Sequence, residues 1–365
     1  MAQLRSETLL TWQPSNRALN PPTEHSLSAQ TSYSTAIQGL VESTDASFSS
    51  PASSSSMAIR AFDFTTWPQS TLLLNESLAA RGTELQGDDS RLSCVRASLA
   101  AGLRLTTAAI GGSITAGSSY GTGSAGASFL YHSKVSQAIN AMYPVQGDHP
   151  HHNGGVPGTG PTYMEHCVHD HLPKAAGLIL LEYAVNVDRR PASFERLLRR
   201  LLISQPQAAL IVLNHHRWRV VRPQDGRTDK CWNPKWPVDM RANRTQWVAQ
   251  TWGQQPGASD QLNTDEDAVA ALCKHYNVPL VSQRAALLDS VRLGEIAIPA
   301  FMRDCKHPSG EGHTIMAQLL IHRLLHAPPT AAAAGTGGAV EAACGGGGAG
   351  ASAAAMVTAA RASLP

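Results

Sequence analysis

Apolar residues fall into two alternating patterns along the middle of the chain. Short runs, Leu105–Ile110, Leu178–Val185, Ala209–Leu213 and Val278–Val281, are apolar at nearly every position. Such runs suit strands buried on both faces. Between them the apolar spacing lengthens to three and four. Phe129, His132, Val135, Ile139 and Met142 share one helical face, and Pro144 ends that pattern. Phe194, Leu197, Leu198, Leu201 and Leu202 share another, with Arg196, Arg199 and Arg200 projecting elsewhere. A third helix is predicted before Val278 from Val269, Leu272 and Tyr276, and a last one from Ile315, Leu319 and Leu320. Strands separated by amphipathic helices predict an α/β fold, a three-layer, doubly wound, mostly parallel sheet. In that architecture ligands sit beyond the carboxyl ends of the strands. Ser113, Asn186 and the pair His215–His216 all follow predicted strands.

Both ends of the chain lack this patterning. Residues 1–57 are rich in Ser, Thr, Ala, Gln and Pro, and 327–365 are rich in Ala and Gly. Neither composition buries enough apolar surface to offset chain entropy, so both are expected to be disordered. Residues 58–326 then form one domain, with a Trp-rich insertion at 217–262. The 29 basic and 27 acidic residues leave a net charge of +2, and no basic stripe predicts nucleic-acid binding. No run approaches the ~18 apolar residues of a membrane span, so a soluble or peripherally attached protein is expected.

The N-terminus has no apolar signal region. Its Ser content with Arg5 and Arg17 fits a transit peptide, whereas Glu7, Glu24, Glu42 and Asp45 oppose one; the compartment, secretion included, stays open. The six cysteines form no CxxC pair, and mostly reduced thiols are expected.

Chemistry concentrates in separated phrases. In Asp304-Cys305-Lys306-His307-Pro308 a carboxylate precedes an imidazole by three residues, close enough to fix its tautomer. Gly111-Gly112-Ser113-Ile114-Thr115 presents a serine after a buried strand, where a base could activate it. With Asn153-Gly154-Gly155-Val156-Pro157-Gly158-Thr159-Gly160 and Glu182-Tyr183-Ala184-Val185-Asn186, these phrases make the chain resemble the SGNH (GDSL-like) hydrolase family, in particular its algal and plant-like members. The resemblance spans about 105–320.

It implies a flavodoxin-like SGNH fold and serine esterase activity through an acyl-enzyme, without cofactor or metal. It assigns Ser113 as nucleophile, His307 as base and Asp304 as its orienting partner. The oxyanion hole would comprise the Ser113 and Gly158 backbone N–H groups and the Asn186 amide. Two departures stand out: Gly112 replaces the family's usual Asp, and Asp188 lies one residue later than expected after Asn186.

Other readings compete. Taken singly, Ser113 could be a helix cap and Asn186 an Asx turn. Gly121-Thr122-Gly123-Ser124-Ala125-Gly126 matches a dinucleotide fingerprint but begins too far beyond its strand. The histidines 149, 151, 152, 166, 169 and 171 follow no zinc spacing and are expected in a solvated loop.

Trp218, Trp232, Trp236, Trp247 and Trp252 make the insertion either a substrate-selecting cap or a satellite core. His215, His216 and Trp218 are the candidate substrate-binding residues. An acetylated carbohydrate is the preferred substrate. Lipid or small acyl esters, acyl transfer to a sugar hydroxyl, and a catalytically silent carbohydrate-binding protein are the alternatives.

Overall fold

The computed structural model describes residues 73–118, 128–187, 190–218, 264–303 and 306–326, plus the paired two-residue strands β6 (Val220–Val221) and β7 (Thr228–Asp229). The main sheet has six strands: β1 (Thr83–Leu85), β2 (Thr107–Gly111), β3 (His151–Asn153), β4 (Leu178–Glu182), β5 (Ala209–Asn214) and β8 (Leu280–Ser282). Their spatial order is β1-β8-β5-β4-β2-β3; β1 is antiparallel to β8 and all other pairs are parallel. Counted along the chain, the parallel strands lie in the order second, first, third, fourth, fifth. That is the doubly wound flavodoxin-like arrangement, whose switch point falls between β2 and β4.

The described helices are α1 (Glu76–Arg81), α2 (Ser90–Ala100), α3 (Ser113–Ala116), α4 (Tyr131–Met142), α5 (Pro161–Cys167), α6 (Pro191–Ser204), α7 (Asp265–His275), α8 (Gln283–Arg292), α9 (Ile298–Phe301) and α10 (Gly310–Leu325). Alternation along the strands divides the core between the two sheet faces. Ala109, Leu178, Leu180, Ile211 and Leu213 meet residues of α2, α4, α8 and α10. Ala108, Ile110, Ile179, Leu181, Leu210 and Val212 meet α5, α6 and α7. The predicted apolar face of α6 is fully engaged: Phe194, Leu197, Leu198, Leu201 and Leu202 are all buried, each worth about 1.5–3 kcal/mol relative to exposure.

Sequence periodicity missed two strands of the main sheet. β1 is short, and β3 consists of His151, His152 and Asn153, whose composition reads as loop. Register against β2, not side-chain hydrophobicity, makes β3 a strand. Among the described cysteines, Cys94 is disulfide-bonded, while Cys167 and Cys273 are free. Among the described residues no helix is long and apolar enough to cross a membrane.

Candidate active site

At the carboxyl end of β2 the chain turns through Gly112 directly into α3, with half-buried Ser113 as its first residue. The Ser113 Oγ lies 2.9 Å from His307 Nε2, although the two are 194 residues apart in sequence. His307 is on the loop between α9 and α10. That loop is closed by the Arg303 N–H donating to the His307 carbonyl (2.9 Å) and the Ser309 N–H donating to the Phe301 carbonyl (2.8 Å). Ser309 then caps α10 by accepting from the Gly312 N–H. Asp304 and Asp188 lie outside the described residues.

The loop after β3 runs alongside the end of β2. Gly154 N–H donates to the Ala109 carbonyl (2.8 Å) and Val156 N–H to the Gly111 carbonyl (3.0 Å). Gly158 follows with φ +71°, a left-handed conformation that favours glycine. It is exposed, and a Cβ there would meet nothing within 4 Å, leaving its backbone open to the crevice.

Asn186, just beyond β4, packs against the serine turn. A Cβ on Gly112 would stand 2.7 Å from Asn186 Oδ1, and one on Gly160 would stand 2.6 Å from the Asn186 carbonyl. Gly112 is therefore the space into which the Asn186 carboxamide fits, and an aspartate could not occupy it with Asn186 in this position. The buried Oδ1 has no hydrogen-bond partner among the described residues. With that oxygen turned inward on a half-buried residue, the Nδ2 donor is the end left for the crevice.

Beneath the serine turn lies a polar layer that sequence reading did not anticipate. Glu182 ends β4 opposite Gly111 and is fully buried. It accepts from Thr115 Oγ1 (3.3 Å), which also contacts the Tyr131 hydroxyl at 3.0 Å. Burial raises the Glu182 carboxyl to about 8, so it is protonated at neutral pH.

The neighbouring histidines have defined tautomers. His132 Nε2–H donates to the Thr115 carbonyl (2.9 Å), so its Nδ1 accepts from His151 Nε2–H (2.7 Å). His151 Nδ1 in turn accepts from the Thr107 hydroxyl (3.2 Å). Burial holds His132 at about 3 and His151 at about 4, keeping both rings neutral. Buried His149 links the Leu105 N–H to the Tyr143 carbonyl. The expectation of a wholly solvated histidine loop is thus corrected for 149 and 151: backbone groups beside the sheet edge recruit the His149 ring, and the His132 and Thr107 side chains recruit that of His151. His152, His166 and His169 are exposed, as expected. One sequence signal was available, since His132 occupies an inward position of the predicted helix.

The proposed substrate contacts at His215, His216 and Trp218 also require correction. All three are buried without exposed surface, and each has a polar atom bonded within the protein, although His215 Nδ1 has no hydrogen-bond partner among the described residues. His215, directly after β5, donates from Nε2 to the Lys306 carbonyl (2.7 Å) and so ties the sheet to the His307 loop. Burial lowers this ring to about 4, leaving it neutral. His216 Nδ1 pairs with Glu266; burial opposes that charge, but His216 outweighs it and brings the carboxyl down to about 2. Trp218 donates from Nε1 to Gln283 Oε1 (3.1 Å) and packs edge-on against Phe301. For this tryptophan the core reading prevails; Trp232, Trp236, Trp247 and Trp252 lie outside the described residues, as does the dinucleotide-like Gly121–Gly126 phrase.

No protein-family model matches the chain, and no curated protein does. Among solved structures it is similar to a two-domain esterase (CEX) active on acetylated mannans, co-crystallized with mannopentaose. The TM-score is 0.50 at 20% identity, covering 69% of this chain and 57% of that one. A second structure of that esterase gives 0.49 at 21% identity, covering 70% and 58%. A possible lipase from Chitinophaga pinensis DSM 2588 gives 0.39 at 14% identity, covering 62% and 100%. This chain therefore spans less than two thirds of the esterase's length. What the first similarity establishes is a shared α/β architecture.

Proposed function

We propose that this protein is an SGNH-type serine esterase. The observation that carries the reading is the 2.9 Å contact between Ser113 Oγ and His307 Nε2 at the carboxyl end of the sheet. A hydroxyl at that distance from an imidazole nitrogen is within reach for proton transfer. His307 takes the Ser113 proton as Oγ attacks an ester carbonyl, and Asp304 orients the ring. The carbonyl π electrons move onto oxygen, and the resulting oxyanion is met by the Ser113 N–H, the Gly158 N–H and Asn186 Nδ2. Each such donor is worth about 10²–10³ in rate. Collapse expels the alcohol, which takes its proton from His307. Water then repeats the sequence, releasing the acid and restoring Ser113. The open backbone at Gly158 and the packing of Asn186 on Gly112 both support the oxyanion assignment.

The preferred substrate is an O-acetylated carbohydrate. The Arg-, Asn- and Trp-rich insertion supports it, as does the architectural likeness to an esterase active on acetylated mannans. Labelling the full chain with a fluorophosphonate tests the mechanism. Stoichiometric labelling that disappears in Ser113→Ala is expected. A folded wild-type protein that takes no label would instead favour a silent carbohydrate-binding protein.

A further inference from the structure

We infer that Glu76, His322 and His326 form a site for a zinc-class divalent cation, stapling α1 to the end of α10. One ligand atom from each residue lies within 4.8 Å of the other two. His322 and His326 are four apart near the carboxyl end of α10, with rings stacked at 4.1 Å and only 16° from parallel. Helical spacing therefore presents both imidazoles on one side. Glu76, the first residue of α1, brings Oε1 to 3.0 Å from His322 Nε2 and 3.6 Å from His326 Nε2. Tetrahedral zinc with bonds of about 2.0–2.1 Å separates its ligand atoms by about 3.3 Å. The two observed separations bracket that value.

The ring orientation of His326 gives a second, independent argument. Its Nδ1–H donates to the His322 carbonyl at 3.0 Å, as metal-bound histidines commonly use their remote nitrogen. In the neutral ring, Nε2 then points a lone pair toward the Glu76 carboxylate. That arrangement is repulsive until a proton or a cation lies between them.

The local charges also fit. Arg323 is adjacent, and its Nη2 pairs with Asp89 and donates to the Gln86 carbonyl. Ligation through His322 Nε2 moves that ring's proton to Nδ1, which is buried without a hydrogen-bond partner among the described residues. This lowers affinity about ten- to a hundredfold relative to a fully supported site.

Imidazole and carboxylate donors select zinc-class ions over Mg²⁺ or Ca²⁺. Water completes the coordination, since Glu76 and His326 are exposed. Along α10, His322 and His326 lie about 18–24 Å from the helix end that adjoins the His307 loop. The staple is therefore separate from the ester chemistry and acts on stability.

The test titrates Zn²⁺ into full-length, chelator-treated protein carrying no histidine tag. Calorimetry and thermal unfolding are followed for wild type, His326→Ala and Glu76→Gln. One equivalent should bind wild type and raise its melting temperature by about 5–10 °C at a hundredfold excess over Kd. Mg²⁺ should do neither, and Co²⁺ should give the visible absorption of a four-coordinate N/O site. Both variants should lose the stoichiometric binding and the shift, while His326→Ala melts near wild type without metal. No zinc binding, or binding undiminished in both variants, overturns the inference.

Discussion

The serine and the histidine of the candidate site are held in contrasting ways. Ser113 sits on a turn held from the sheet: β2 below it, the Gly154–Val156 backbone beside it, and Asn186 packed into the space at Gly112. His307 rides on a loop outside the sheet. One backbone pair closes the loop, and the His215 side chain anchors it from the end of β5. Parallel strands define a nucleophile's position through many cooperative bonds, whereas a loop histidine depends on a few specific donors. Damage at the two ends should therefore differ in kind.

The largest expected effect is at the nucleophile. Ser113→Ala should lower kcat/KM by about 10⁴–10⁶ with the fold intact, measured on aryl acetates alongside circular dichroism. Next comes Asn186→Ala, which should lower kcat by about 10²–10³ with KM little changed, as loss of a transition-state donor requires.

Gly112→Asp introduces the residue usual in the family that the sequence resembles, yet its Cβ would collide with Asn186 Oδ1. It should cost up to about 10²-fold by displacing Asn186. Increased activity in this variant would break the account of Gly112. On the histidine side, His215→Ala should lower kcat by about tenfold by freeing the Lys306 carbonyl. His215→Gln, which keeps a donor, should recover part of that loss. Equal damage in the two variants would reduce His215 to packing.

The smallest effect concerns Glu182, which touches no substrate in this reading. Its carboxyl stands at about 8 in the fold against 4.5 ordinarily, so the native state holds a proton that the unfolded chain releases. Stability should therefore fall as pH rises from about 4.5 to about 8 and lose no more beyond. Glu182→Gln should match wild type below pH 4.5 and exceed it at pH 8, as read by urea denaturation at both pH values. Identical pH profiles for the two proteins would show that Glu182 ionises freely.

The serine half of the site was far more legible in sequence than the supports of the histidine half. Glycines around Ser113 and Gly158 mark close backbone approach, and Asn186 follows a recognisable apolar strand. His307 could be read beside Asp304, but its anchor His215 belongs to a different strand, and a His-His-Arg phrase looks like a binding hinge. The same ambiguity misdirected the reading of Trp218. Side-chain chemistry is visible in sequence; whether a chain buries that side chain is decided by what packs over it. β3 illustrates this on the backbone, where two histidines and an asparagine form a strand because β2 supplies the hydrogen bonds.

The sequence by itself determined the alternation of buried strands and amphipathic helices, and hence a layered α/β sheet with Ser113 and Asn186 at strand ends. Apolar periodicity is local and survives without knowledge of neighbours. Only the tertiary structure brought Ser113 to His307 across 194 residues, filled the space at Gly112 with Asn186, and buried a protonated Glu182 beneath the serine turn. Those outcomes depend on distances and desolvation between distant segments, which strand order and helix packing decide.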